Sequence, residues 1–317
     1  SFSCWNQLLI MMYGQLAGCE SLRELVCITT AHAPKSYHLG FGKSVITRSN
    51  LAKANANRDC RIFEEFSYKM ISIAQGKRIT KEFEIPGRFY AFDSTTIDLC
   101  LSLFWWANFR KTKSGIKVHT LFDVVTQIPA FLHITAAKVH DMNAMDEIPY
   151  EQNAYYIFDR AYFDLARLFT INSIGSNFVI RERGNLQYKI IEGEDLIESP
   201  DNILYDQTIR LTGQQTAKKY PSLLRRVGYY SVEHKRTFTY LTNNFVISSK
   251  HVALLYKNRW QVELFYKWIK QHLHIKSFWG VTENAVRIQI YSAITAYCLV
   301  AIVEHDLRLN RSTFDVL

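Results

Sequence analysis

Apolar residues follow two different periods along this chain, and the change from one to the other divides it. Through the first 85 residues the spacing is helical. Trp5, Leu8, Leu9, Met12 and Leu16 return every three or four positions, and Ser21 opens a second helix with Glu24 in the capping-box position. Residues 34–42 read as a loop, Ser49 as the cap of a third helix over 50–57, and 61–74 as a fourth helix. Lys43, Arg48, Lys53, Arg58 and Arg61 gather about the third helix. That pattern is compatible with a helix-turn-helix-like DNA-binding unit, and equally with a plain bundle carrying ordinary surface charge. Gly76, Pro86 and Gly87 mark 76–87 as a linker.

From Arg88 the text becomes strand-like. Phe89-Tyr-Ala-Phe-Asp93 is a short apolar run closed by a carboxylate, and Tyr155-Tyr-Ile-Phe-Asp159 repeats it. Between them, 115–123 and 129–136 form a strand pair around a turn at 126–129, and His140 and Asp141 precede a short helix. A helix over 162–173 and a strand over 177–181 follow. Runs without polar alternation suit central strands covered on both faces. A strand–helix–strand connection makes parallel neighbours, and ligands of such sheets lie at the carboxyl ends of the strands. Asp93 and Asp159 are therefore expected side by side at one rim. The competing reading is two unrelated acids acting as caps or turn formers.

Glycines and prolines at 184, 193, 200, 213, 221 and 228 punctuate 184–237 as an inserted, mainly β segment. A strand over 238–241 comes next, then a long helix capped by Ser248, then an apolar helix over 283–306. The long helix carries a charged stripe. At about 100° per residue, Tyr256, Arg259, Glu263, Lys267 and Lys270 fall within roughly 40° of a common line. Leu254, Phe265, Trp268 and Ile269 lie opposite and are expected to pack inward. The ordinary meaning of such a stripe is a solvated face with an i,i+4 Arg–Glu pair. The other meaning is an acid that holds a metal ion while its basic neighbours hold a phosphate backbone.

Composition narrows the choice. With 317 residues, 48% hydrophobic and 14% aromatic, the chain can bury a sizeable core and is not a disordered polymer. Its net charge of +9, spread without a basic tail, points to a polyanionic partner, usually nucleic acid. The six cysteines show no C-x-x-C spacing and read as reduced core thiols of a cytosolic protein. No signal peptide is visible, and the apolar stretch 288–303 carries Gln289, Ser292 and Thr295, so a buried helix is expected and no membrane partner.

The chemistry-bearing groups are then Asp93, Asp159 and Glu263. An all-oxygen carboxylate set with open positions suits Mg²⁺ or Mn²⁺. Two such ions about 4 Å apart can activate a water or a 3′-hydroxyl and stabilise the leaving oxygen of an in-line phosphodiester displacement. Asp93, on the more central strand, is the natural bridging ligand. Arg259 and Lys270 flank Glu263 by about one and two helical turns, within reach of phosphates beside the scissile bond. The sequence contains no Gly-rich phosphate loop and no Ser/His/Asp nucleophile arrangement.

Three motifs carry a family resemblance. Asp93-Ser94-Thr95 and Asp159-Arg160-Ala161-Tyr162 resemble the first and second Asp motifs of IS4-family insertion-sequence transposases, and Tyr256-x₂-Arg259-x₃-Glu263-x₆-Lys270 resembles their Y-R-E-K signature. The resemblance covers roughly residues 88–317; the first 85 match only in general helical character. It implies an α/β fold with an RNase H-like core, a mixed central sheet flanked by helices, in the manner of DDE enzymes. On that basis 86–183 and 238–317 are the two parts of the core and 184–237 its β-rich insertion, while 1–85 remains an all-helical region for which DNA binding and a plain bundle both stay open. It also implies that Asp93, Asp159 and Glu263 are the catalytic metal ligands, that Tyr256, Arg259, Lys270 and Arg160 contact DNA, and that two Mg²⁺ or Mn²⁺ ions are the cofactor. The implied reaction is cut-and-paste transposition of double-stranded DNA, from transposon ends into target, by a homodimer in a bacterial cytoplasm at the nucleoid. Two alternatives stay open: an RNase H-like nuclease without strand transfer, and a non-catalytic DNA-binding repressor derived from a transposase.

Other groups fit less directly. His140 and Asp141 lie between the two Asp motifs and are candidates for a place near the site. His119 and His133 read as strand-surface or core histidines. His272 and His274 point to different faces of a helix, against a zinc site. Trp105 and Trp106, before the basic run 110–113, read as partly exposed core aromatics sooner than as a DNA-stacking platform. Lys117 and Lys138 are expected to join the basic surface.

Overall fold

The amino-terminal helices form where the apolar period places them. α1 (Cys4–Leu16) is capped by Ser3, and α2 (Leu22–Ala31) by Ser21, whose hydroxyl accepts the Glu24 N–H while Glu24 reaches back to the Glu20 N–H at 2.8 Å. In this computed structural model, residues 2–36, 38, 46–78, 87–100, 102–110, 113–195, 201–273 and 278–309 are described. The expected loop at 34–42 lies mostly outside them; its start belongs to a single turn, α3 (Ala33–Ser36). α4 (Arg48–Asn57) begins two residues earlier than expected, because Thr47 and not Ser49 accepts the first free N–H, that of Asn50 at 3.2 Å. α5 (Arg61–Lys77) runs through Gly76, so the expected linker starts later, and 79–86 lie outside the described residues.

The basic group around α4 is partly used inside the molecule. Arg58 donates to the Ser3 carbonyl at 2.7 Å and to Gln7 at 2.9 Å, and Arg61 pairs with Asp59. Lys43 lies outside the described residues.

One ten-stranded sheet organises the remainder. Its strands are β1 (Phe89–Leu99), β2 (Asn108–Arg110), β3 (Lys113–Asp123), β4 (Ile128–Ala136), β5 (Tyr155–Phe158), β6 (Asn177–Arg181), β7 (Tyr188–Asp195), β8 (Ile203–Leu211), β9 (Leu224–Ser231) and β10 (Arg236–Thr242). β3 pairs antiparallel with β1, β2 and β4, and β1 pairs parallel with β5, which pairs parallel with β6. Antiparallel β4-β3-β1 followed by parallel β5 and β6 makes the mixed central sheet expected of an RNase H-like core. β10, β9, β8 and β7 extend the same sheet beyond β6, so the β-rich stretch continues it edge to edge.

Two corrections concern β1 and the helices. β1 does not end at Asp93 but runs on to Leu99, because Asp93–Leu99 stay paired with β3. Its parallel pairing with β5 does stop at Phe92↔Phe158. Helices α6 (Leu165–Ser173), α7 (Gln214–Lys219), α8 (Ser249–Asn258), α9 (Trp260–His272) and α10 (Glu283–Asp306) complete the chain. The helix expected from residue 162 is a 3-10 turn at Arg160–Tyr162 followed by α6, which Asp164 caps.

The central strands are apolar on both sides because both sides are covered. One face packs Phe89, Ala91, Val118 and Phe122 against α9, α10 and the amino-terminal helices in a single apolar cluster. The other face packs Phe92, Tyr156, Phe158 and Phe178 with Tyr162 and α6. α10 is long and apolar enough by composition to cross a membrane, but 78% of its most apolar stretch is buried inside the fold, which makes it a core helix. The cysteines are less uniform than expected. Cys19 and Cys298 are buried, Cys4 and Cys60 half-buried, and Cys27 and Cys100 exposed. Trp105 is 76% exposed, whereas Trp106 packs on the core and donates to the Val281 carbonyl at 2.8 Å.

α1 meets the segment before α10 at close range. The Trp279 indole donates to the Cys19 carbonyl, and a Cβ at Gly14 would stand 2.6 Å from the Trp279 ring and 3.0 Å from Leu25. Gly14→Val should therefore overpack this contact and cost about 1–3 kcal/mol, read as a lower urea midpoint with an unchanged slope. An unaltered midpoint would show that the contact is loose.

Candidate active site

Asp93 and Asp159 reach one rim by the same local device. Each follows the last residue of the parallel β1–β5 pair, Phe92 and Phe158, whose rings are buried and hold the strand ends in place. Past that point β1 has only β3 beside it, and β5 turns into the 3-10 turn that Asp159 caps, its Oδ2 accepting the Ala161 N–H at 3.4 Å. Asp93 is held by the next peptide, with the Ser94 N–H donating to its Oδ1 at 2.8 Å.

The third acid comes from the helical face. The expected continuous helix over 256–270 is broken: α8 ends at Asn258, α9 begins at Trp260, and Arg259 sits at the junction. Here the backbone tightens, the Arg259 N–H bonding to the Tyr256 carbonyl and the Val262 N–H to the Arg259 carbonyl, both three residues apart. Phe265, Trp268 and Ile269 pack inward as expected, but Leu254 is 37% exposed, because it lies on α8, before the break.

At that junction Arg259 meets the carboxylates. One guanidinium nitrogen donates to Asp93 Oδ2 at 3.0 Å and the other to Glu263 Oε1 at 2.6 Å. The Tyr256 hydroxyl donates to Asp159 Oδ1 at 3.1 Å. Arg259 with Asp93 and Glu263, and Tyr256 with Asp159, are thus two bonded sets, brought together by the Arg259 charge acting on Asp159 and by its guanidinium lying 5.9 Å from the Tyr256 ring. Lys270, two turns on, donates to the Thr95 hydroxyl and to the Thr96 carbonyl at 3.1 Å, so it lies against the continuation of β1. Arg160 is exposed at the rim next to Asp159 and outside both sets.

The acids differ in their electrostatics. Burial pushes the Asp93 carboxyl up to about 6; Arg259 and the Ser94 N–H oppose this, while Glu263 and Asp159 add to it. Asp159 feels burial too, yet the Arg259 charge, the Arg160 and Ala161 N–H groups and the Tyr256 hydroxyl outweigh it and hold the acid below its ordinary value. Burial and the Asp159 charge raise the Tyr256 phenol, which keeps it a hydrogen-bond donor. Among the described residues no three acid, imidazole or thiol groups converge on a common point as ligands. A guanidinium stands between two of the acids instead.

Of the less direct candidates, Asp141 reaches this neighbourhood and His140 does not. The Ser94 hydroxyl donates to Asp141 Oδ1 at 2.8 Å, and Lys117 lies 3.1 Å from the same oxygen. Lys117 is thus tied down beside the site and does not join the surface charge, whereas Lys138 is exposed. His140 is exposed and caps the 3-10 turn Asp141–Glu147 with Nδ1. His119 is fully buried, its imidazole driven down to about 4 chiefly by that burial, and it faces half-buried His133 across β3 and β4. One contributor escaped the sequence reading. Tyr266, buried on α9, donates its hydroxyl to the Asp93 carbonyl at 2.7 Å and to the Val118 carbonyl at 3.1 Å. Its only local signal is a phenol one turn past Glu263 on a helix that faces a strand.

Comparison with known proteins places this geometry in a family. Residues 85–299 match the family described as transposase DDE domain, and residues 1–42 match a domain of unknown function (DUF4372). A putative transposase, y4zB, of Sinorhizobium fredii is 34% identical over 270 residues, 84% of this chain and 73% of that protein. A probable transposase for insertion sequence element IS5377 of Geobacillus stearothermophilus is 28% identical, covering 88% and 75%. A putative transposase for element IS4SA of Synechocystis is 25% identical, covering 80% and 71%. The fold also resembles a cryo-EM structure of the piggyBac transposase synaptic complex with hairpin DNA, with a TM-score of 0.50 at 11% identity over 98% of this chain and 69% of that one. With the Asp, Asp and Glu motifs brought to one rim of an RNase H-like sheet, the chain belongs to the DDE transposases of insertion sequences, in their IS4-like group.

Proposed function

We propose that this transposase performs its DNA cleavage and strand transfer at Asp93, Asp159 and Glu263. The observation that carries this reading is the meeting of three acids from three separate elements at the rim where the parallel strands end, two of them on one guanidinium and the third on the Tyr256 hydroxyl one helical turn before it. Their donor set is all oxygen, which is the chemistry that suits a hard divalent cation, Mg²⁺ or Mn²⁺, although here the Arg259 guanidinium stands between Asp93 and Glu263. When bound, two such ions would activate the attacking water or 3′-hydroxyl and stabilise the leaving oxygen. Asp93, the acid that directly follows the parallel β1–β5 pairing, is the proposed shared ligand, with Asp159 and Glu263 completing the set.

Tyr256, Arg259, Lys270 and Arg160 are the proposed contacts to double-stranded DNA. They hold the backbone about the scissile phosphate, which positions the substrate without reading its sequence. Arg160 is the most available of them, being exposed and outside both bonded sets. A homodimer that pairs two transposon ends at the bacterial nucleoid, with target DNA as the third partner, completes the reading.

Three outcomes test it. Cleavage of the element's terminal sequences in Mg²⁺ should fall by more than about 10²-fold in Asp93→Asn and in Glu263→Gln, and so should joining of pre-cleaved ends. Undiminished cleavage by either variant would sink the assignment. Lys270→Ala and Arg160→Ala should each weaken end binding and reduce the slope of log affinity against log salt by about 1; an unchanged slope removes that residue from the phosphate contacts.

The third concerns pH in metal-free protein. Burial pushes the Asp93 carboxyl up to about 6 in the folded protein, against about 4 in the unfolded chain, so between these values the native state holds the extra proton. The stability it contributes is full below about pH 4 and is lost as pH rises through about 6. In EDTA, wild type should lose on the order of 2 kcal/mol across that window relative to Asp93→Asn. Parallel stability profiles in urea unfolding would contradict the burial of this acid.

A further inference from the structure

Asp93 lies where the sheet is least able to hold it. Through Phe92, β1 is clamped between β3 and β5; from Asp93 onward its β5 side has no strand partner. A ligand on a half-supported strand needs its orientation fixed by something else, because reactive geometry tolerates displacements of only about 0.5 Å. Two side-chain devices are present, one on each face of β1. On the helical face, Tyr266 bridges the Asp93 and Val118 carbonyls and so ties β1 to β3.

On the opposite face the device starts at Asp141. Lys117, on β3, donates to the Val139 carbonyl at 2.9 Å and ion-pairs with Asp141, which seats Asp141 at the head of its 3-10 turn. Asp141 Oδ1 in turn accepts the Ser94 hydroxyl at 2.8 Å. Ser94 then uses its backbone N–H to hold Asp93 Oδ1, also at 2.8 Å, while Asp93 Oδ2 is the oxygen that meets Arg259. One residue is thus gripped by its side chain and grips the acid by its main chain. His119 lies beneath this chain of bonds, its Nδ1 buried, 3.9 Å from Asp141 and without a hydrogen-bond partner. Lys117 is therefore the cation that matches the Asp141 charge.

We infer that Asp141, acting through Ser94 and anchored by Lys117, is a positioning residue for Asp93: it pins Oδ1 and so presents Oδ2 to the reaction centre. This rests on Asp93 being a site acid, as proposed above. Groups that orient a ligand through a hydrogen bond change metal affinity or turnover by about 10–100-fold when removed, without contributing a ligand themselves. Asp141→Ala and Ser94→Ala should each show a loss in that range in turnover on pre-bound terminal DNA, with end affinity in gel shifts unchanged. Their double variant should be no worse than either single one, because both break the same chain of bonds.

Ser94→Thr keeps the hydroxyl and should recover most of the turnover, which separates loss of the bond from loss of folding. Mn²⁺ titration followed by EPR, on protein bound to terminal oligonucleotides, should show weaker binding in Asp141→Ala with the number of ions unchanged. Loss of one ion would overturn the inference by making Asp141 a ligand in its own right, and additive single losses would overturn it by making the two residues independent. Wild-type Mn²⁺ binding and turnover in Asp93→Asn would instead bring down the underlying site assignment, whatever Asp141 does.

Discussion

Three carboxylates brought to one rim repel one another, and the structure depends on the cation that answers them. Arg259 does so as a fork, one nitrogen on Asp93 and the other on Glu263, with only 15% of its side chain exposed. Like charges gathered in a partly desolvated site repel unless a cation stands among them, and removing one member of a buried ion pair is usually more harmful than never having it. The fork sits at the break between α8 and α9. Arg259 keeps helical dihedrals there, so it stays one turn from Glu263 as an i,i+4 pair while also reaching Asp93 on β1.

The sheet provides the rigid half of the arrangement. Parallel strands need crossovers, the crossovers cover both faces, and the covered strands can be wholly apolar until the point where pairing ends. Polar chemistry then begins at the first residue beyond the apolar run, which is where Asp93 and Asp159 stand. Tyr266 and the Ser94–Asp141–Lys117 chain make up for the missing strand beside Asp93, from opposite faces. Behind α9, the buried helix α10 is backed by α1, α4 and α5, so the amino-terminal helices share one apolar cluster with the strand that carries Asp93.

Particular residues show how far the sequence could be read. The runs Phe89–Phe92 and Tyr155–Phe158 are legible as buried strands because an unalternating aromatic stretch has no other economical place in a fold, and the acids that close them are legible for the same reason. Glu263 was legible through the spacing of Tyr256, Arg259 and Lys270. β1 beyond Asp93 was not, since Ser94, Thr95 and Thr96 are polar and only their register with β3 makes them a strand. Lys117 has the local text of a surface lysine and becomes an anchor through a residue 24 positions away, Asp141.

By itself, then, the sequence determined the type of each central element, the acids at its ends and the family motifs, because periodicity, capping and motif spacing are properties of neighbouring residues. Tertiary structure decided the break at Arg259, the ion pairs among Asp93, Glu263 and Arg259, the role of Tyr266 and the seat of Asp141. Each of these except the i,i+4 pair joins groups far apart along the chain, or, at Arg259, is a one-residue interruption that the helical period does not mark. Helical period cannot distinguish an unbroken helix from one interrupted at a single residue, nor a solvated charged stripe from one that meets acids on a strand, because both depend on contacts made across the fold.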